Sequence, residues 1–146
     1  MMTRPPAEVG MPLEAVDTPA LLLELDAFER NLARLAQAVA GTLVRLRPHS
    51  KSHKCPVIAL RQMAAGAVGV CCQKVSEAEA MVFGGVSDVL VSNQIVGAPK
   101  IARLVALAKQ ARVAVCVDDP GNAMALNEAA VALDVRLSVL VEVNVG

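Results

Sequence analysis

The densest group of reactive side chains lies in Arg47-Pro48-His49-Ser50-Lys51-Ser52-His53-Lys54-Cys55. Both histidines of the chain fall here, together with two lysines. A lysine amine that has lost its proton attacks a carbonyl carbon and forms an imine. Burial and neighbouring cationic groups favour that uncharged form, and Arg47, Lys54 and a protonated histidine stand close by in the sequence. If the segment is extended, alternation puts His49, Lys51 and His53 on one face. The competing reading is a solvated basic loop. The concentration of both histidines in one segment weighs against it.

Such a segment must be positioned by the elements on either side. Short apolar, β-rich runs alternate with helical stretches through the whole chain. Strands are expected at 43–47, 67–72, 88–91, 113–117 and 137–143, with starts about 21 to 25 residues apart, as in βα units. An earlier run, 18–25, also reads as extended. Helices between them have recognisable ends. Asp26 with Glu29, and Ser76 with Glu79, form capping-box patterns. Pro56, Pro99 and Pro120 suit first turns, Asp118 and Asp119 suit a cap, and Gly41, Gly66 and Gly84-Gly85 suit helix stops.

The strands are nearly continuous apolar runs, which suits a parallel sheet. Polar residues gather at or just after strand ends: His49 and Lys51, Gln73 and Lys74, Ser92 and Asn93, Asp118, then Glu142 and Asn144. Both an open doubly wound sheet and a (βα)8 barrel place their sites at the carboxyl ends of parallel strands. No Gly-x-Gly-x-x-Gly follows the first strand, which removes the simplest nucleotide-binding reading. The chain stops at Gly146 on its fifth repeating strand, and a complete barrel needs about 200 residues or more. The expected fold class is therefore α/β: a partial, truncated (βα)8 TIM-type barrel of about five parallel strands with intervening helices.

Composition narrows the setting. Lys+Arg and Asp+Glu both number 14, which speaks against a nucleic-acid or membrane-surface partner. The apolar runs are too short to span a bilayer, and Met1 to Pro12 lacks the apolar stretch of a secretory signal. Cys55, Cys71, Cys72 and Cys116 match no Cys-x-x-Cys pattern, so reduced, inert thiols and a cytoplasmic location are expected.

The lysine segment resembles the Arg-Pro-His-x-Lys-x-His-Lys motif of the D-threonine aldolase and D-serine dehydratase family, within the alanine-racemase-like, barrel-type pyridoxal 5'-phosphate (PLP) enzymes. The resemblance extends to Val16-Asp17-Thr18-Pro19-Ala20-Leu21 upstream. Downstream it takes in Gly69-Val70-Cys71-Cys72-Gln73-Lys74-Val75-Ser76-Glu77-Ala78, Asp88-Val89-Leu90-Val91-Ser92-Asn93, and Leu140-Val141-Glu142-Val143-Asn144-Val145-Gly146. It implies two parts: residues 1–25 as an N-terminal arm and strand, and 26–146 as the N-terminal part of a PLP-binding barrel. It implies Lys51 as the catalytic lysine that bonds PLP, with Lys54 the structural alternative. It places His49, His53, Gln73, Asn93 and Glu142 around the cofactor.

The activity implied is a lyase acting on β-hydroxy-D-amino acids, a D-threonine-aldolase-like cleavage to glycine and an aldehyde. D-serine dehydratase and 3-hydroxy-D-aspartate aldolase chemistry are alternatives on the same scaffold. A non-catalytic PLP-binding protein and an inactive fragment are alternatives of another kind. The substrate would be a small D-amino acid, and the family pattern allows a homodimer. A divalent metal such as Mn is implied only for a full-length relative, whose C-terminal β-rich domain supplies the ligands; no metal residue is assigned here.

Overall fold

A computed structural model of the chain describes residues 7–146; Arg4 and the rest of the first six residues of the expected arm lie outside them. A 3-10 turn, Leu13–Ala15, precedes α1 (Leu25–Val39) and α2 (Pro56–Ala64). Then β1 (Val70–Cys72), α3 (Val75–Phe83), β2 (Asp88–Gln94), α4 (Ala98–Leu107), β3 (Arg112–Val117), α5 (Pro120–Ala132) and β4 (Ser138–Val141) alternate.

The strands lie in the order β1-β2-β3-β4 and every pairing is parallel. A doubly wound sheet reverses its order at a switch point; this one never does. Repeated crossovers of one hand then lay α3, α4 and α5 on a single face. Burial records the result. Val70 and Cys72, Val89 and Val91, and Val113, Val115 and Val117 are buried with Met81, Leu104, Val105 and Leu126 in one cluster. Each such side chain contributes about 1.5–3 kcal/mol by leaving water. Their alternates, Cys71, Leu90, Ser92, Ala114 and Cys116, are only half-buried on the opposite face. This is the wall of a βα barrel, with its helices outside and its inner face open.

Several expectations need correction. The run 43–47 is not a strand. It lies parallel to β1 but makes a single bridge, His49 with Cys71, together with a bond from the Val68 N–H to the Leu46 carbonyl at 2.9 Å. Pro48 has no N–H to contribute, so a ladder cannot run through it. The run 18–25 is not a strand either: no neighbouring strand pairs with it, Leu21, Leu22 and Leu23 are exposed, and its last residue already belongs to α1. Glu24, not Asp26, caps α1, accepting from the N–H groups of Asp26 at 3.2 Å and Ala27 at 2.5 Å. Ser76 makes no cap bond; Lys74 occupies the N-cap of α3, and Glu79 instead forms a forked pair with Arg103 of α4. Asp119 caps α5 as expected, accepting from the Asn122 N–H at 2.7 Å, a contact worth about 1 kcal/mol. Asp118 stays exposed.

At the amino-terminal end of the sheet, Arg47 reaches across β1 to Asp88 at 2.8 Å, and Arg112 lies 3.9 Å from the same carboxylate. Gly69 makes this crossing possible. A Cβ there would overlap the Asp88 carbonyl oxygen and the Arg47 guanidinium. Gly69→Ala is therefore expected to break the Arg47–Asp88 pair and lower stability by about 2 kcal/mol, read as a shift in the urea midpoint; an unchanged midpoint would contradict the close packing described.

Candidate functional site

The carboxyl ends of the strands bring together side chains that the sequence scatters. The segment leading from Arg47 runs beside β1 until Ser50. There the Ser50 N–H donates to the Cys71 carbonyl at 2.7 Å, and the Cys71 N–H donates to the Pro48 carbonyl at 2.8 Å. Ser50 is fully buried. Its hydroxyl donates to the Cys71 carbonyl at 2.8 Å and lies 3.3 Å from the Cys72 thiol. Beyond it the backbone turns, and the Lys54 N–H closes on the Ser50 carbonyl at 2.8 Å. Lys54 takes a left-handed φ of 50° to complete the turn.

That turn overturns the expected single face of His49, Lys51 and His53. Alternation needs extended backbone, and pairing with β1 ends at Ser50. His49 points to the inner face of the sheet, where its Nε2 lies 3.3 Å from the Ser92 hydroxyl. Its Nδ1 accepts the Lys51 N–H at 3.2 Å. Ser92 also bonds the Cys72 carbonyl at 3.4 Å. His53 folds back towards α2. Its Nδ1 accepts the Cys55 N–H at 3.0 Å, and its Nε2 is buried without a hydrogen-bond partner, as is the Gln62 Oε1. Burial pushes the His53 imidazole below its ordinary value, against the opposing influence of Cys55 and Gln62.

The two lysines of the segment differ. Lys54 Nζ lies 3.9 Å from Glu77 Oε1, and the buried Glu77 also accepts the Gln73 N–H through Oε2 at 2.8 Å. Lys51 is exposed and its amine makes no ion pair or hydrogen bond among the described residues.

The remaining candidates form a rim. Gln73 follows β1, half-buried, its backbone held by Glu77 and by Asn93 Nδ2, which donates to the Gln73 carbonyl at 3.3 Å. Asn93 Oδ1 accepts the Gln94 N–H at 3.0 Å, so both ends of this amide are engaged by protein. Glu142 is exposed after β4 and accepts from Gln94 Nε2 at 2.9 Å. Gln94 reaches it because β2 slips register: Val91 pairs with Val115, but Gln94 pairs with Cys116. Irregularities of this kind re-aim side chains beside sites. Sequence reasoning missed three contributors: Gln94, whose aim depends on the slip; Ser92, which it grouped with the rim without a role; and Glu77, hidden beside a capping-box pattern that does not form.

The cysteines are free. Cys72 is buried, the others partly so, and burial raises the Cys72 thiol to about 11 and pushes Cys71 and Cys116 up as well. These thiols stay protonated and unreactive. Among the described residues, no group of three or more His, Cys, Asp or Glu is placed to hold a metal ion, and no helix is long and apolar enough to cross a membrane.

Comparison with known proteins places the whole chain in a family. The family model for the alanine racemase N-terminal domain matches residues 23–146. The chain belongs to that family. It is 50% identical over 142 residues to a D-threonine aldolase of Arthrobacter sp, covering 97% of this chain and 38% of that protein. It is 45% identical over 143 residues to a 3-hydroxy-D-aspartate aldolase of Paracoccus denitrificans (strain Pd 1222), covering 97% and 37%. The crystal structure of a D-threonine aldolase from Filomicrobium marinum superposes with a TM-score of 0.93 at 58% identity, covering 99% of this chain and 39% of that one. The chain thus spans about two fifths of the length of these family members.

The buried His53 has a consequence for acid stability. Its folded pKa is lowered from 6.5, so below about 6.5 the unfolded chain takes up the proton that the folded chain refuses. Stability is expected to be full above that pH and to fall as pH drops from there through the folded value. Urea midpoints across this range should decline less steeply in His53→Gln. An equal slope in both proteins would remove His53 as the cause.

Proposed function

We propose that the chain carries the lysine-bearing half of a PLP-dependent lyase site acting on β-hydroxy-D-amino acids, with Lys51 as the residue that bonds the cofactor. One observation carries the assignment. Of the two motif lysines, Lys54 lies beside Glu77, while the exposed Lys51 amine makes no ion pair or hydrogen bond among the described residues.

The residues present fit the cofactor. An aldehyde needs an accessible primary amine, and the open inner face beside Ser92 and Cys116 gives a flat ring a half-buried surface to lie against. When bound, PLP draws electrons from a breaking bond at the α-carbon of an amino acid. The chain's own residues do the holding. Ser50 and His49 fix the backbone on the amino side of Lys51, and the Ser50–Lys54 turn fixes it on the other. Gln73 and Glu142 present polar groups around the rim, and Asn93 keeps the Gln73 carbonyl in place.

The relatives support the substrate class. Those named for D-threonine and 3-hydroxy-D-aspartate share a substrate pattern, a hydroxyl on the carbon next to the α-carbon of a D-amino acid. Cleavage between those two carbons releases an aldehyde and leaves glycine when the substrate is D-threonine. The free cysteines support a cytoplasmic setting as part of the same reading.

Mixing the chain with PLP is expected to give a visible absorbance band that borohydride bleaches, with the label recovered on the peptide containing Lys51. Lys51→Ala should abolish the band, and Lys54→Ala should retain it. A label on Lys54, or an undiminished band in Lys51→Ala, would overturn the assignment.

A further inference from the structure

The sequence gives Ser92 a strand-end place but no role, yet it stands at the hinge of a chain of hydrogen bonds that ends on Lys51. We propose that Ser92 is a positioning residue: its hydroxyl holds His49 as the Nε2–H tautomer, and the ring so held fixes the backbone of Lys51. The significance for catalysis rests on Lys51 being the cofactor lysine; the geometry itself does not.

The directions of the bonds leave one consistent arrangement. A backbone N–H can only donate, so the Lys51 N–H at 3.2 Å requires a lone pair on His49 Nδ1. The proton of the neutral ring then sits on Nε2, 3.3 Å from Ser92 Oγ. Ser92 accepts it and directs its own hydrogen to the Cys72 carbonyl at 3.4 Å. The donors run from Lys51 through His49 and Ser92 to β1. Reversing any one of them leaves the Lys51 N–H facing a second N–H or removes the bond to Ser92.

Two consequences follow for the roles of these groups. First, His49 has both nitrogens engaged within the protein, so its ring acts as a strut. Second, the strut ties three elements. The His49 backbone bridges β1 through Cys71, its ring reaches past β1 to Ser92 on β2, and its Nδ1 holds the first residue of the turn. Ser50 anchors the same turn from the helix side, through the Cys71 carbonyl and beside the Cys72 thiol. Lys51 therefore starts from a backbone gripped on both faces of the sheet, while its amine makes no ion pair or hydrogen bond among the described residues.

The test uses the chain without cofactor. Nitrogen-15 NMR of the imidazoles should show His49 as the Nε2–H tautomer, and hydrogen exchange should show a protected Lys51 amide. In Ser92→Ala, where only a hydroxyl is removed, the tautomers should mix and the Lys51 amide should exchange about fivefold faster, the equivalent of one modest hydrogen bond. Ser92→Thr, which keeps the hydroxyl, should restore both. An Nδ1–H tautomer in the unmodified chain, or Ser92→Ala with unchanged tautomer and exchange, would overturn the proposal. PLP uptake is read separately in the same variants. Failure of every variant and of the parent to take up PLP would sink the cofactor reading while the NMR result still decides the role of Ser92. Slower uptake in Ser92→Ala, restored in Ser92→Thr, would join the two.

Discussion

The parallel bridge between His49 and Cys71 carries most of the geometry of the candidate site, because it is where the chain leaves the sheet. Before it, the segment from Arg45 follows β1 with few bonds of its own. After it, the segment leaves β1, although the strand runs on to Cys72, and the Lys54 N–H closes on the Ser50 carbonyl. The direction of Lys51, the turning away of His53 and the contact of Lys54 with Glu77 all follow from where that pairing stops. Pro48 contributes by carrying a carbonyl that accepts from Cys71 and no N–H that could extend the ladder.

The two ends of the sheet are held by different means. At the amino-terminal end, Arg47 and Arg112 converge on Asp88, with Gly69 leaving the space through which Arg47 passes. At the carboxyl end, amides and a hydroxyl bond to backbone or to a side chain of another strand end, with Glu142 as a carboxylate acceptor. The Lys51 amine makes no ion pair or hydrogen bond with either end among the described residues. Glu77 lies beside Lys54, and burial pushes the Cys72 thiol up.

The slip in β2 shows how a small irregularity serves the rim. Regular pairing would send Ser92 and Gln94 to the inner face at fixed spacing. The extra residue pair between Val91 and Gln94 instead brings Asn93 over the end of β1 and Gln94 towards the end of β4. The ends of β1, β2 and β4 are thereby linked by side chains as well as by the sheet.

Local physics made much of this legible in the sequence. Apolar strands at a 20-odd-residue rhythm, prolines in first turns, glycines after helices and the Asp119 cap are decided by backbone preferences that act within a few residues, and β1 to β4 and α2 to α5 appear where they point to. The lysine segment was legible too, since its residue types are chemically distinctive whatever surrounds them. Only the tertiary structure decided the rest. Whether 43–47 and 18–25 become strands depends on partners that no local pattern contains. Whether Glu79 closes a capping box or pairs with Arg103 depends on where α4 comes to lie. The separation of Lys51 from Lys54, three residues apart and alike in chemistry, rests on a turn set by pairing with a strand some twenty residues away. The sequence determined that two lysines stand in this loop; long-range contacts decided that Lys54, and not Lys51, lies beside Glu77.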